Sequence, residues 1–269
     1  MDPAAAKEQW RGLLATGMAV VFLMAGPVSA QWAEIRLPGT PRNSDGTPNL
    51  AAPAPKTPEG RPDLSGIWRK SRDGSRAGSK VSAQNLAAEG VEVPSQPWAE
   101  ALYNARRANN GKGVPSERCL PHSIPKTYLI AEPTKIVQTP TLIAILHEEF
   151  NNYRQVFTDG RQFPANLDRR WMGYSIGTWE GDTLIVDTRG FVDETWLDFG
   201  GHPATDALHV VERYQRRDFG HMDIQFTFDD PKAYVKPWTV TVPFDLLPDT
   251  ELIEQICDNE QDDAHLVGK

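Results

Sequence analysis

The segment GYSIGTWEGDTLIVDTRGF, residues 173–191, decides the fold of this chain. β-Branched and aromatic residues fill both of its arms, and the tripeptide Glu180-Gly181-Asp182 separates them. Strands favour such residues, and glycine supplies the backbone freedom that a short hairpin loop demands. The segment therefore predicts two antiparallel strands joined by a tight turn.

Similar segments lie on both sides of this hairpin, with short breakers such as Asp159-Gly160 and Pro248-Asp249 between them. The strand candidates are Lys135–Gln138, Leu142–Glu149, Tyr153–Thr158, Gly173–Trp179, Thr183–Phe191, Leu208–Arg217, Met222–Asp229, Trp238–Leu246 and Glu251–Asp258. Short strands with short turns favour an antiparallel meander, and closing the meander removes its two exposed edges. We therefore predict an all-β fold, an antiparallel meander closed as a lipocalin-like barrel. A two-sheet sandwich is the alternative.

The N-terminus has the layout of a signal peptide over residues 1–30. Lys7 and Arg11 precede an apolar run from Leu13 to Ala25, and Val28-Ser29-Ala30 forms a small-residue cleavage site. This apolar run is too short for a membrane-spanning helix, which needs about 20 residues. We expect a periplasmic or secreted protein with no stable membrane span, and an uncleaved anchor is the alternative.

Residues 31–134 are predicted to form a Pro/Gly-rich arm that carries the first strand and one short helix. The helix is expected at about residues 96–109, because Ser95 can cap it and Pro97 suits its first turn. The first strand contains Gly66-Ile67-Trp68, in which Trp68 closes a barrel end or simply packs at the edge of the core. Residues 135–269 are predicted to form the barrel.

Charge and cysteine content restrict the partners and the covalent links. The formal net charge of -8 argues against a nucleic-acid partner, because nucleic-acid binding normally requires a basic face. Cys119 and Cys257, the two cysteines of the chain, form either one disulfide or two buried thiols. Without a CxxC pattern, a metal site built on cysteines is not expected.

Two carboxylates interrupt apolar faces of the predicted strands. Glu212 alternates with Leu208, Val210 and Tyr214, and Glu254 shares a face with neighbouring apolar residues of the last candidate strand. A carboxylate on an inner face is costly unless it is paired with an arginine or kept for acid–base chemistry. Both interpretations stay open, with Arg154, Arg161 and Arg213 as available partners.

Histidines near the same strand suggest acid–base chemistry. His202, His209 and Glu212 are predicted to be the catalytic residues, with the histidines at a barrel mouth and Glu212 deeper along the strand. The predicted substrate-binding residues are His147, Glu149, Arg154, Arg213, Trp179, Tyr214 and Glu254. No cofactor is predicted. A metal site of histidines and a carboxylate stays open, although neither an H-x-H nor an HExxH pattern supports it.

Several long segments together resemble a known family. PDLSGIW, RCLPHSIP, FTDGR, TWEGDTLIVDT, GHPATDALHVVERY, DFGHMDI and DDPKAYVKPWTV, spread over residues 60–269, are similar to a family of exported bacterial hypothetical proteins. That resemblance implies export, and it supplies no established activity and no catalytic residues to transfer to this chain. A looser resemblance to lipocalin-like barrels rests on Gly66-Ile67-Trp68 and the meander.

Two functions follow as hypotheses. The first is an exported barrel enzyme, a lyase, isomerase or hydrolase, that acts on a small carbohydrate or aromatic molecule by His/carboxylate acid–base chemistry. The second is a non-catalytic periplasmic carrier of a small amphiphilic ligand. Converging His, Glu and Arg side chains would favour the enzyme, and an apolar cavity would favour the carrier.

Overall fold

The computed structural model describes residues 35–73, 80–87 and 90–257, so the predicted signal peptide lies outside the described residues. Nine strands occur in this part of the chain. They are β1 (Gly66–Lys70), β2 (Thr134–Gln138), β3 (Leu142–His147), β4 (Tyr153–Phe157), β5 (Tyr174–Glu180), β6 (Thr183–Arg189), β7 (His209–Arg216), β8 (His221–Asp229) and β9 (Trp238–Leu246).

The strands close into one barrel in sequence order, with β1 pairing both β2 and β9. The predicted hairpin of residues 173–191 is β5 and β6, in which Glu180 pairs Thr183 and Gly181 has a φ of 60°. The prediction of a closed all-β barrel is confirmed.

One neighbouring pair departs from the predicted antiparallel meander. β4 and β5 run parallel, joined by the long connection 158–173. In a closed ring of antiparallel neighbours the strand directions alternate, which requires an even number of strands. A nine-stranded barrel therefore needs one parallel pair, and a parallel pair needs a long crossover connection.

The predicted last strand, Glu251–Asp258, is wrong over its described part, because residues 251–257 form no regular structure. Since β1 already pairs β9, the closed barrel offers no edge to a tenth strand. A disulfide between Cys119 and Cys257, with the Cα atoms 5.6 Å apart, fastens this segment instead.

Helical segments lie in the connections. The predicted helix at 96–109 is α1 (Pro97–Ala108), and a second helix, α2 (Lys126–Leu129), was not expected. Its four residues are too few for a 3.6-residue period to be visible. Two 3₁₀ turns, Pro115–Arg118 and Glu149–Asn151, complete the described helical segments.

The barrel has two covered ends. At the arm end, where β1 begins, the Arg216 guanidinium donates to the Asp63 carbonyl, and its charge lies 4.9 Å from the Trp68 ring centre. At the helix end, where β9 begins, α1 contacts the loops before β7 and β9. There Trp98 Nε1 donates to the Lys232 carbonyl and Arg106 Nη1 donates to the Gly201 carbonyl.

Gly66 is required where β1 meets β9 at the arm end. Its φ is 138°, and a Cβ at this position would lie 2.5 Å from Leu246 Cδ1. We expect Gly66→Ala to lower the free energy of unfolding by roughly 1–3 kcal/mol more than Gly60→Ala does. Gly60 is the matched control because its φ of 81° is also positive, whereas a Cβ there meets nothing within 4 Å. Urea denaturation measures both variants, and equal losses would show that the contact with Leu246 is relieved without cost.

Candidate functional site

A polar network fills the middle of the barrel. Both side chains of the Arg154–Glu212 ion pair are buried, at 1% and 0% exposure. The remaining members of this lumen network are Tyr128, Ser175, Thr188 and Tyr214. The face prediction for Glu212 is confirmed, and the open alternative of a buried pair with Arg154 is the one that occurs.

Every donor of Arg154 is used inside the lumen network. Nη1 donates to Tyr128 Oη at 3.0 Å and to Glu212 Oε1 at 3.0 Å. Nη2 donates to Thr188 Oγ1 and to Glu212 Oε2, and Nε donates to Ser175 Oγ. Burial alone lowers the pKa of Arg154, but Glu212 outweighs it, and the pKa stands well above its ordinary value. A guanidinium with five satisfied donors is a core element with no donor left for a ligand.

A second pair of ionisable groups lies at the helix end. His202 Nδ1 is 2.6 Å from Asp198 Oδ2, and both side chains are almost fully buried, at 4% and 0% exposure. The loop 190–208 between β6 and β7 carries both residues. The imidazole stacks on Tyr103 of α1, with ring centres 3.9 Å apart and planes tilted by 20°. Two structural elements therefore fix the orientation of the His202 ring.

The carboxylate of Asp198 is surrounded by hydrogen-bond donors. It accepts bonds from the backbone N–H groups of Leu86, Gly201 and His202 as well as from the His202 ring. Because a carboxylate only accepts, His202 donates to Asp198 through Nδ1, which leaves Nε2 without a role in this pair. This is the orientation that a histidine general base requires.

His202 lines a cleft of about 670 Å³ at the helix end. The lining is mainly polar, and it includes Asn85, Glu92, Ser95, Glu100, Tyr103, Asn104 and Lys236. A concave surface lined by an aromatic ring, amide side chains and a histidine of fixed orientation has the composition of a small-molecule site. We therefore take this cleft as the candidate active site.

The structure does not bring the three predicted catalytic residues together. His209 Nε2 lies 2.9 Å from Asp187 Oδ1, on the face of β7 opposite to Glu212. Among the described residues, no hydrogen bond, ion pair or ring contact joins His202, His209 and Glu212. The carboxylate that partners His202 is Asp198, which the sequence analysis missed.

The predicted substrate-binding residues are dispersed. Arg154 and Tyr214 belong to the lumen network, whereas Arg213 is exposed and lies 3.4 Å from Glu180. Trp179 lines a separate cleft of about 450 Å³ at the arm end, with the Arg61 charge 5.7 Å from its ring centre. Glu254 is exposed, because the strand that would have turned it inward does not form.

His147 and Glu149 lie near the helix end but have their own partners. His147 Nδ1 is 2.9 Å from Thr134 Oγ1, and burial lowers the pKa of His147 to about 3, which keeps the ring neutral. Glu149 Oε1 is 2.7 Å from Nε2 of buried His122. Both pairs are enclosed, and neither lines the cleft beside His202.

A buried lysine lies between the two His–carboxylate pairs. Lys126 of α2 is 2% exposed, and its ammonium makes a cation–π contact with Phe199, with Nζ 4.0 Å from the ring centre. Burial lowers the pKa of Lys126 to about 8, although Glu149 and Asp198 act to raise it. Because Lys126 is charged at neutral pH, its burial destabilises the folded state there.

This lowered pKa predicts a pH-dependent stability. The ordinary lysine pKa of 10.5 applies to the unfolded chain, so between pH 8 and 10.5 the unfolded state holds more protons than the folded state. The free energy of unfolding of the wild type minus that of Lys126→Met should rise by about 1.4 kcal/mol per pH unit in this window. Urea denaturation of both proteins from pH 7 to 10 gives the difference, in which other titrating groups cancel. A difference that stays constant with pH would show that Lys126 keeps its ordinary pKa.

Among the described residues, no group of three or more His, Cys, Asp and Glu side chains is arranged to hold a metal ion. The same part of the chain contains no helix that is both long and apolar enough to cross a membrane.

Comparison with known proteins adds no further evidence. No protein-family model, curated protein or solved structure matches this chain.

Proposed function

We propose that the protein is an enzyme in which His202 acts as the general base and Asp198 as its orienting partner. The observation that carries the proposal is the 2.6 Å contact between buried Asp198 and Nδ1 of His202, a residue that lines a polar cleft. In a lyase or isomerase Nε2 takes a proton from the bound molecule, and in a hydrolase it takes the proton from the water that attacks the bound molecule. Asp198 stabilises the imidazolium that results. Returning this proton to a leaving group or to a neighbouring carbon completes a hydrolase, lyase or isomerase cycle.

The cleft is suited to a small uncharged molecule, a carbohydrate or an aromatic compound. Two carboxylates, Glu92 and Glu100, and one ammonium, Lys236, leave its lining with net negative charge, which disfavours anions. Asn85 and Asn104 offer paired donors and acceptors of the kind that hydroxyl-bearing ligands need.

The test is a screen that separates turnover from retention. Purified protein is incubated with a pool of neutral carbohydrates and aromatic metabolites, and mass spectrometry follows each compound free in solution and bound to protein. Consumption with formation of a product supports the enzyme. Retention without conversion supports the carrier. If the protein neither converts nor retains any compound, both functions lose their support.

Export is part of the proposal. The signal-peptide pattern of residues 1–30 supports it, and so does the Cys119–Cys257 disulfide, because such bonds persist in oxidising compartments. Intact-mass analysis of protein from the periplasm or the medium should give Gln31 as the first residue. Exported protein that retains Met1 would contradict this processing.

A carrier function remains the second candidate because of a more apolar groove at the arm end. The groove has a volume of about 330 Å³, and its apolar lining includes Leu37, Ile67, Phe219 and Leu246. Arg216 also lines it, and its guanidinium donates to the backbone carbonyls of Asp63, Asp218 and Phe219, so its charge suits the head group of an amphiphilic anion.

The fluorescent anion 8-anilinonaphthalene-1-sulfonate tests this groove. Binding should be lost in Leu37→Glu, since Leu37 lines the groove. It should persist in Leu146→Glu, a matched change at an exposed leucine of β3. Equal binding by both variants would remove the groove as a ligand site.

A further inference from the structure

A separate cleft lies on the barrel wall beside the parallel pair β4 and β5. These strands pair over only two residues of each, so among the described strands residues 153–155 pair with β3 alone. Residues 153–155 and residues 171–174 line the cleft, which has a volume of about 270 Å³. This wall cleft shares no lining residue with the cleft beside His202 or with the arm-end groove.

Aromatic side chains form much of the lining of the wall cleft, which includes Tyr153, Phe157, Trp171 and Tyr174. Tyr153 is 65% exposed, and the ring centres of Phe157 and Tyr174 lie 5.2 Å apart with planes tilted by 33°. Aromatic rings gain strongly from burial, so a group of them around an open concavity indicates a surface that a ligand covers. An aromatic ring of the ligand suits this lining, because aromatic pairs attract each other beyond the area that they bury.

Arg170 brings an unpaired positive charge to the wall cleft. It lines the cleft, and its guanidinium lies 5.8 Å from the Tyr174 ring centre. Its side chain forms neither a hydrogen bond nor an ion pair with any residue that the structure describes. The arginines around it are paired with aspartates, Arg161 with Asp159, Arg169 with Asp206 and Arg189 with Asp187. The guanidinium of Arg170 is therefore available to a ligand.

The backbone of Arg170 is held in place although its side chain is free. Its N–H group donates to the Gly190 carbonyl, and its carbonyl accepts from the N–H groups of Gly173 and Val192. A ligand therefore meets a cation on a fixed backbone, and only the Arg170 side chain has to be ordered on binding.

The charge of the lining selects an anion. None of the described residues that line the wall cleft is Asp or Glu, although the chain has a formal net charge of -8. Arg154 also lines the cleft, but its donors are used in the lumen network. A concavity with one free guanidinium and no carboxylate attracts negative charge, and a guanidinium matches a carboxylate by donating two parallel hydrogen bonds.

We propose that the wall cleft binds a small aromatic carboxylate, whose carboxylate pairs with Arg170 and whose ring packs against the aromatic lining. Its volume lies just below the about 300–1,000 Å³ of sites for drug-sized ligands, which suits a compound with a single ring. This inference goes beyond the proposed function and does not depend on it, because neither His202 nor Asp198 takes part.

The experiment titrates full-length protein with benzoate and follows the ligand by saturation-transfer difference NMR. Benzamide has the same ring without the charge, and cyclohexanecarboxylate has the charge without the aromatic ring. We expect saturable binding of benzoate. Benzamide should bind about tenfold more weakly or worse, because it loses the charged hydrogen bonds to Arg170. Cyclohexanecarboxylate should bind about three- to tenfold more weakly, because it loses the contacts between aromatic rings.

Arg170→Gln should raise the Kd of benzoate by about tenfold or more. Its fold should be retained, because the side chain has no described polar partner to lose. Arg169→Gln is the matched control, since this neighbouring arginine is paired with Asp206 and does not line the wall cleft. We expect its Kd to stay within about twofold of the wild type. Tyr153→Ala removes an exposed ring from the lining and should raise the Kd by about three- to tenfold.

Three results would overturn the proposal. The first is the absence of saturable benzoate binding, and the second is equal affinity for benzoate and benzamide. The third is equal weakening in Arg170→Gln and Arg169→Gln, which would show a general effect of net charge. Binding that persists in Arg170→Gln and is lost in Leu37→Glu would also overturn it, by placing the anion in the arm-end groove. Benzoate binding in His202→Gln should equal that of the wild type, so a failure of the proposed enzyme leaves this site intact.

Discussion

Replacing His202 by glutamine should reduce turnover by about 10²–10⁴-fold, the usual contribution of a general base. Glutamine retains a polar side chain of similar reach, but its amide does not accept a proton at neutral pH. Asp198 keeps its backbone donors from Leu86 and Gly201, so the loop around it should remain in place. Initial rates on the substrate found by the screen give the loss, and circular dichroism checks the fold.

His209→Gln is the matched control for this change. His209 is also a histidine held by an aspartate, with Nε2 2.9 Å from Asp187, but it lies on the outer face of β7. We expect its rate to stay within about twofold of the wild type, because no bond to substrate or to Asp198 is lost. Wild-type turnover in His202→Gln would move the reaction away from the cleft. Equal losses in both variants would point to a general effect on the fold.

The sequence predicted the barrel because its strands have a strong two-residue period. In β7 and β8 buried and less buried residues alternate without interruption, and the predicted faces of Glu212 and His209 are the observed ones. What this period does not encode is which strand edges are free. The candidate strand after Pro248 alternates as well, yet it stays irregular because closure between β1 and β9 removes the edge it would join.

The site was predictable only in part, and for a related reason. The sequence pattern predicts His202 as a catalytic residue, but it places the carboxylate partner on β7, where Glu212 points inward and is paired with Arg154. The actual partner, Asp198, lies four residues before His202 in a loop without any period. The D-x-x-x-H spacing becomes informative only when Tyr103 of α1 and Leu86 are placed against this loop. These contacts join residues that are far apart in the sequence, so no local sequence pattern predicts them.

The lumen network gives a second large effect, this time on stability. Arg154→Met should lower the free energy of unfolding by about 3–5 kcal/mol, because Glu212 is left buried without its cation. Glu212→Gln should cost a comparable amount, since it leaves the Arg154 guanidinium uncompensated among Tyr128, Ser175 and Thr188. Urea denaturation of each variant measures these losses.

The double variant Arg154→Met/Glu212→Leu separates the pair from its surroundings. With both charges removed, it should be less destabilised than the sum of the single changes, because neither partner is left as a lone buried ion. Replacement of a buried pair by apolar residues of similar volume is often close to neutral, so the net contribution of the pair can be small even though each single loss is large. Wild-type stability of the Glu212→Gln variant would contradict the prediction that the Glu212 carboxylate stabilises the fold by compensating the buried Arg154 charge. Normal stability combined with lost turnover would support the prediction from the sequence that Glu212 is a catalytic residue.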